Sequence, residues 1–328
     1  MTAYSTELEV AKLAARAAAK LCLEVQEEML GAPERMEKAG REPVTIADYG
    51  AQALILREIQ AHFPDDGAFA EERAADFASV ATESQRGAVL RHVATSLGRA
   101  VGQPDIQTWL DFGRGRSGER MWAVDPIDGT KGFLRNEQFA IAVALIVRGE
   151  LAVAALACPK LPFDPSDTQA QPGLVAWAVR GEGATLENLA GDRSRPLRVL
   201  SVSDPAAARV VESVESGHTD HDFSAEVLAA AGVGGGSLRM DSQAKYAAVA
   251  DGRAEVYIRH TPDPDYREKV WDHAAGALVI AEAGGRVTDL HGRPLDFSAG
   301  ERLANNYGIL GTNGLLHERL LGAISAHV

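Results

Sequence analysis

Trp122-Ala123-Val124-Asp125-Pro126-Ile127-Asp128-Gly129-Thr130-Lys131-Gly132 runs an apolar strand straight into two carboxylates three residues apart. Pro126 restricts the turn and Gly129 admits an unusual backbone angle, so both carboxylates can converge on one point. Asp125 and Asp128, with the backbone carbonyl of Ile127, are hard oxygen donors of the kind magnesium prefers. The amides from Gly129 to Gly132 are placed to open a short helix and to donate to a phosphate oxygen. Asp-Pro and Asp-Gly are also common turn dipeptides, and the five residues Asp125 to Gly129 alone fit a plain turn as well as a metal site. What surrounds them decides between the two.

Outward from this stretch the chain reads as an ordered protein. It has 328 residues, 46% hydrophobic and 24% charged, enough to bury a large core in one or two domains. The formal charge, 33 minus 46 or −13, argues against a general binder of nucleic-acid polymers or anionic membranes. A small anionic substrate stays open, because bound divalent metals turn a repulsive group of carboxylates into an anion site. No run of 18 apolar residues suggests a membrane span, and the first residues carry acids where a signal peptide carries bases, which points to the cytoplasm. Cys22 and Cys158 sit in apolar surroundings without metal or redox spacing, as reduced core thiols.

Upstream, Leu8, Ala11, Ala15, Ala18, Cys22, Val25 and Met29 advance by threes and fours, the mark of a helix with one buried face. Thr45 stands three residues before Asp48 and predicts the start of a second helix reaching toward His62. A third helix is expected over 83–98 and strands over 121–125, 139–147 and 151–157. A proline-bearing loop over 159–172 and a strand at 174–179 follow. Beyond about Gly191, expected strands at 196–201 and 209–214 and the strand ending at Arg259 alternate with helices over 223–231, 242–250 and 271–283. That alternation predicts a second, α/β domain, with a cleft between the halves as the default binding site.

The segment Trp122 to Gly132 resembles the signature of the inositol monophosphatase superfamily of metal-dependent phosphatases. Its continuation KGFLRNEQFAIAVALI is similar to the 3′(2′),5′-bisphosphate nucleotidase branch. Three further segments support the likeness: EPVTIADYGAQALI, Ala70-Glu71-Glu72, and Val270-Trp271-Asp272-His273-Ala274-Ala275-Gly276. The resemblance implies an α/β protein with a layered αβαβα sugar-phosphatase fold. Residues 1–192 would form an α+β metal-binding catalytic domain, and residues 193–328 an α/β domain that completes the metal site and binds substrate. It implies two or three Mg2+ ions held by Glu71, Asp125, the Ile127 carbonyl, Asp128 and Asp272. Asp48, Glu71 and Thr130 are then the catalytic residues. Strand alternation lets only one of Glu71 and Glu72 face the site; the resemblance selects Glu71 and leaves Glu72 behind it or exposed. Alone, Asp272 reads equally as a helix N-terminal acid favoured by the macrodipole. His273 points elsewhere on its helix and is expected to pack or to hydrogen-bond.

Substrate choice rests on the second half. Val214-Glu215-Ser216-Gly217-His218 and Asp241-Ser242-Gln243-Ala244-Lys245-Tyr246, with Arg259, resemble nucleotide-contacting segments of the bisphosphate nucleotidases. Lys245 and Arg259 offer charge for a second phosphate, which a simple polyol monophosphate lacks. Ser242 adds a hydroxyl; the resemblance prefers His218 to His221; Gly129, Thr130 and Asp272 complete the expected substrate contacts. Each has a plainer alternative, Ser242 as a helix cap and the cations as solvated charges. The expected substrate is 3′-phosphoadenosine 5′-phosphate, and its sulfated form a second one. Inositol mono- or bisphosphates are the alternative within the superfamily, and a non-catalytic nucleotide-binding protein the alternative outside it.

Overall fold

Ala11, Ala15, Ala18 and Cys22, all fully covered, give helix α1 (Ser5–Met29) its buried face. The computed structural model describes residues 3–29, 35–37, 43–167, 169, 171–214, 220–263 and 265–327, and the side chains of 29, 35–37, 43–45 and 221 are outside the description. Strands β1 (Arg35–Glu37) and β2 (Pro43–Thr45) pair as an antiparallel ribbon leading into α2 (Ile46–His62), with Asp48 in its first turn. From Ile46 to Leu56 every side chain of α2 is buried, because the helix lies between α1 and a sheet.

Strand β3 (Gly67–Ala70) is followed by helices α3 (Ala74–Val80), α4 (Glu83–Leu97) and α5 (Gln103–Leu110). Thr82 and Gln85 form a capping box at the start of α4, and Gly98 ends it in the left-handed region. Strand β4 (Arg120–Asp128), the short helix α6 (Thr130–Leu134), and strands β5 (Ala140–Val147), β6 (Glu150–Cys158), β7 (Leu174–Val179), β8 (Gly183–Asn188) and β9 (Ser194–Leu197) complete the first half. The seven strands from β3 to β9 form one sheet in sequence order, parallel only between β3 and β4. The strand expected over 196–201 is thus the last strand of this first sheet, at Ser194–Leu197.

The second half contains β10 (Val210–Glu212), α7 (His221–Ala231), β11 (Ser237–Arg239), α8 (Ala244–Ala250), β12 (Val256–Arg259), α9 (Ala274–Glu282), β13 (Arg286–Thr288), β14 (Ile309–Thr312) and α10 (His317–Ile324). Its five strands lie in the order β11-β10-β12-β14-β13. Strand β10 is parallel to both its neighbours, and β14 antiparallel to both of its own.

Helices α8 and α9 lie between the two sheets, with α1 and α2 outside the seven-stranded sheet and α7 and α10 outside the five-stranded one. This is the layered αβαβα arrangement expected from the resemblance. Strand β5 explains the spacing of the layers. Ile141, Val143 and Leu145 face α1 and α2, while Ala140, Ala142 and Ala144 face α8 and α9. Small residues let the middle helices come close: a Cβ on Gly276 of α9 would stand 2.3 Å from the Tyr246 ring of α8. Burial between two sheets also accounts for α9 being apolar all round.

Candidate active site

The parity of β4 determines where its acids point. Asp125 is opposite Ala142 on β5 and Asp128 opposite Ala140, so three steps on β4 match two on β5. The extra residue is a bulge that turns Asp128 to the face Asp125 already occupies, the face toward α8 and α9. An unbroken strand would send them to opposite faces. The bulge contains Pro126, which has no N–H to give the ladder. The Asp125 Oδ1 accepts the Ile127 N–H at 3.1 Å. Gly129 follows at φ +84°, and a Cβ there would lie 2.9 Å from the Ser242 Cβ, so glycine is needed for both reasons.

Glu71, Asp125, Ile127, Asp128, Gly129, Thr130, Ser242, Lys245, Arg259 and Asp272 line one cavity of about 360 Å3 between the two halves. Of the remaining expected residues, Asp48 is buried in the first turn of α2, near enough to Asp125 to disfavour its charge. His218 lies outside the described residues, as does the side chain of His221. Glu71 stands one residue past the end of β3 and pairs with Lys269 at 3.8 Å. Glu72 is not exposed: it is buried on the other side, where its backbone N–H and carbonyl both bond Gln52, each at 2.7 Å. The Thr130 hydroxyl donates to the Ile127 carbonyl at 3.3 Å.

Burial, and then Glu71, Asp128, Asp272 and Asp48 in that order, push the Asp125 carboxyl well above the usual carboxylate range. Burial and then Asp128 raise Asp272 likewise, with Glu71 adding and Arg259 and Lys269 opposing. These are hard oxygen donors whose charge is disfavoured by their own neighbours, the donor chemistry that a divalent cation fits. A second acidic group touches the first. Glu268, Asp272 and His273 bring ligand atoms within 4.8 Å of one another. Glu268 is nevertheless taken up by Arg259 at 2.8 Å and His273 at 3.1 Å, which leaves Asp272 as the member that lines the cavity.

Asp272 is not on a regular helix, as the sequence pattern suggested. A 3-10 turn, Val270–Asp272, precedes α9, and His273 has backbone angles outside the helical region between them. Likewise α8 starts at Ala244, not at Ser242, whose backbone is left-handed at φ +69°. The cap residue of α8 is Gln243, which makes no side-chain cap bond, and Ser242, one residue earlier, makes a local bond in which its hydroxyl accepts the Ala244 N–H at 3.1 Å.

Lys245 is buried, its Nζ 3.4 Å from the Met240 carbonyl and 5.6 Å from the Tyr257 ring centroid. Burial pushes its pKa down to about 8, Asp128 and Asp241 resisting and Arg259 helping. Arg259 is half-buried, and its charge is held against partial burial by Glu268.

Sequence reasoning missed Gln243. Its backbone N–H donates to the Asp128 Oδ2 at 2.5 Å, and its side chain bridges the Trp271 carbonyl at 2.9 Å and the Gly276 N–H at 3.2 Å. One residue therefore joins β4, α8 and the turn bearing Asp272. A buried amide that satisfies both its ends on backbone atoms leaves no local signal beyond its place in the Asp241 to Tyr246 segment.

A model of the inositol monophosphatase family matches residues 4–328, and the chain belongs to that family. Within it, the chain is 37% identical over 342 residues to a 3′(2′),5′-bisphosphate nucleotidase of Oryza sativa, covering 98% of this chain and 94% of the relative. It is 35% identical to the 3′(2′),5′-bisphosphate nucleotidase of Schizosaccharomyces pombe, covering 98% and 96%. Among solved structures, the inositol monophosphatase from Anabaena (Nostoc) sp. PCC 7120 matches with a TM-score of 0.63 at 23% identity, covering 99% of this chain and 97% of that one. The extragenic suppressor protein suhB from Bartonella henselae matches with a TM-score of 0.67 at 21% identity, covering 99% and 100%. Both share the fold. Among the described residues no helix is long and apolar enough to cross a membrane.

Proposed function

We propose that this chain is a magnesium-dependent phosphomonoesterase that converts 3′-phosphoadenosine 5′-phosphate to AMP and inorganic phosphate, with the 5′-phosphosulfate as a candidate second substrate. The observation that carries this reading is a single cavity containing both a group of carboxylates and two cations, the buried Lys245 and the half-buried Arg259. A substrate with one phosphate to be cleaved and another to be held fits both groups at once. Full-length identity to proteins named bisphosphate nucleotidases supports the same choice.

In this reading Glu71, Asp125, Asp128, Asp272 and the Ile127 carbonyl hold two or three Mg2+ ions. The bound ions supply acidity to water and neutralise charge on the phosphoryl group. Asp48 and Thr130 position and deprotonate the attacking water, with Glu71 acting beside them. Water attacks phosphorus, the P–O bond to the 3′ carbon's oxygen opens, and that oxygen takes a proton, with no covalent link to the protein. Gly129 and Thr130 offer backbone N–H groups to the reacting phosphate, while Ser242, Lys245, Arg259 and His218 hold the nucleotide. Residues 1–192 then carry most of the hydrolytic acids, and residues 193–328 add Asp272 and the substrate contacts. We place this activity in the cytoplasm, where Cys22 and Cys158 remain the buried free thiols seen here.

Phosphate release should be measured with and without Mg2+ on 3′-phosphoadenosine 5′-phosphate, inositol 1-phosphate and inositol 1,4-bisphosphate. The adenosine bisphosphate is expected to be turned over with the highest kcat/KM, and only with the metal. Equal or better turnover of inositol 1-phosphate would overturn the nucleotidase assignment.

A further inference from the structure

Arg259 does not reach the cavity as an isolated cation. Its Nε donates to the Glu268 Oε1 at 2.8 Å, and the Glu268 Oε2 lies 3.1 Å from the His273 Nε2. The His273 Nδ1 lies 2.7 Å from the Tyr246 hydroxyl. The donor directions follow from the groups themselves. An ionised carboxylate only accepts, so the His273 Nε2 carries the hydrogen that faces Glu268, and with the ring neutral its Nδ1 accepts from Tyr246. Glu268, His273 and Tyr246 are all almost fully covered, at 4%, 1% and 1% exposure.

The chain ties together four pieces of backbone: the end of β12, the segment before the 3-10 turn, the first residue ahead of α9, and α8. It begins at a cation lining the cavity and ends on the helix bearing the other cation, Lys245. A long arginine side chain gives up much rotamer freedom when it binds an anion, and a partner fixing its Nε removes that loss beforehand. A buried ion pair is a poor way to stabilise a core, since apolar residues of the same volume commonly do as well, so stability alone does not explain it.

We propose that Glu268, His273 and Tyr246 are positioning residues that fix the Arg259 guanidinium for the second, non-reacting phosphate of a bisphosphate substrate, and so set the preference for bisphosphates over monophosphates. This rests on the reading of Arg259 given above. None of the three touches the reacting phosphate; each acts through Arg259.

The test compares KM and kcat on 3′-phosphoadenosine 5′-phosphate and on adenosine 3′-monophosphate, which lacks the second phosphate, for Glu268→Gln, Tyr246→Phe and Arg259→Ala in the full-length, Mg2+-supplied enzyme. Glu268→Gln keeps the shape and removes the charge. Its KM for the bisphosphate is expected to rise about tenfold, with kcat within about twofold and KM for the monophosphate nearly unchanged. Tyr246→Phe, at the far end, is expected to move the same ratio in the same direction by about threefold, and Glu268→Asp to restore part of it. Equal losses on both substrates, or no change on either, would overturn the positioning role. Should Glu268→Gln not fold, Tyr246→Phe decides by the same criterion. Arg259→Ala separates the two layers of the argument. If it leaves KM for the bisphosphate unchanged, the assignment of Arg259 to the second phosphate fails; if it raises KM while the other variants do not, only the positioning proposal fails.

Discussion

The acids and the cations of the cavity are assembled by different rules. Glu71, Asp125, Asp128 and Asp272 come from strand ends and a turn, and Asp125 and Asp272 are driven above the ordinary carboxylate range by burial and by the other acids. Arg259 has an ionic partner on a buried neighbour, and Lys245 is burdened by burial more than by any other charge. On the proposed reading a bound cation relieves the crowding that disfavours the charges of Asp125 and Asp272, whereas Arg259 is already held by Glu268 before any anion binds. Metal binding should therefore show in the stability of the fold, and substrate recognition mainly in KM.

The largest effect tests the acid region. Asp128→Asn keeps an oxygen to accept the Gln243 N–H, so the fold should persist, and Mg2+-dependent hydrolysis is expected to fall by at least about a thousandfold. Near wild-type turnover would remove Asp128 from the metal site. Next in size is the response to the metal alone. At a concentration of about 100 times its Kd, Mg2+ should stabilise the wild type by about 2.7 kcal/mol in thermal melts, and EDTA should reverse this. Asp125→Asn should lose most of that protection while melting no lower than the wild type without metal, since it relieves a repulsion. If the metal protects Asp125→Asn fully, the acid region is not what binds it.

Between the two regions is Gly129, where the backbone of β4 meets Ser242. With φ at +84° and only 2.9 Å from a new Cβ to the Ser242 Cβ, Gly129→Ala is expected to cost about 1–2 kcal/mol in stability. It should also lower kcat/KM about tenfold by separating Asp128 from α8. Unchanged kinetics would mean that the seam tolerates movement and that the two regions need not be held in register.

The acid region was the more legible of the two in the sequence. Two of its four acids, Asp125 and Asp128, are written into one short string whose turn residues have conformational consequences that can be read locally, while Glu71 and Asp272 were singled out only through the resemblance. Periodicity likewise predicted α1 and the covered strands, and the β/α alternation announced a second sheet. The bulge was not legible, because a one-residue shift in pairing depends on the partner strand; without it Asp125 and Asp128 are on opposite faces. The kinked start of α9 was also hidden, since Trp271 to Ala283 has the composition of an unbroken helix and the 3-10 turn has its Trp271 carbonyl bonded by Gln243, a partner distant in sequence. Glu268, His273 and Gln243 work only through partners far along the chain, and single residues with distant partners leave no pattern to count. Short α3 and α5 escaped for a simpler reason, as 7 and 8 residues are too few for a periodicity to stand out.

The smallest predicted effect concerns the cost of keeping Lys245 inside. Its pKa falls from 10.5 to about 8 in the folded chain, equivalent to about 3 kcal/mol against the charged form. Below about pH 8 the lysine is charged whether folded or unfolded, and the full cost falls on the fold. Between about pH 8 and 10.5 the folded chain releases the proton while the unfolded chain still holds it, so this group makes stability rise with pH across that window. Anion binding needs the charged form and runs the other way: KM for the bisphosphate should climb as pH passes about 8. Lys245→Met removes both trends. At pH 7 it is expected to raise stability by about 1 kcal/mol, as an apolar side chain of similar length replaces a buried charge, while KM for the bisphosphate becomes high and independent of pH between 7 and about 9. Thermal melts and initial rates over that range check the two halves separately. A variant less stable than the wild type would mean that Lys245 is held by the fold for its own sake, and the contrast between the two regions would vanish.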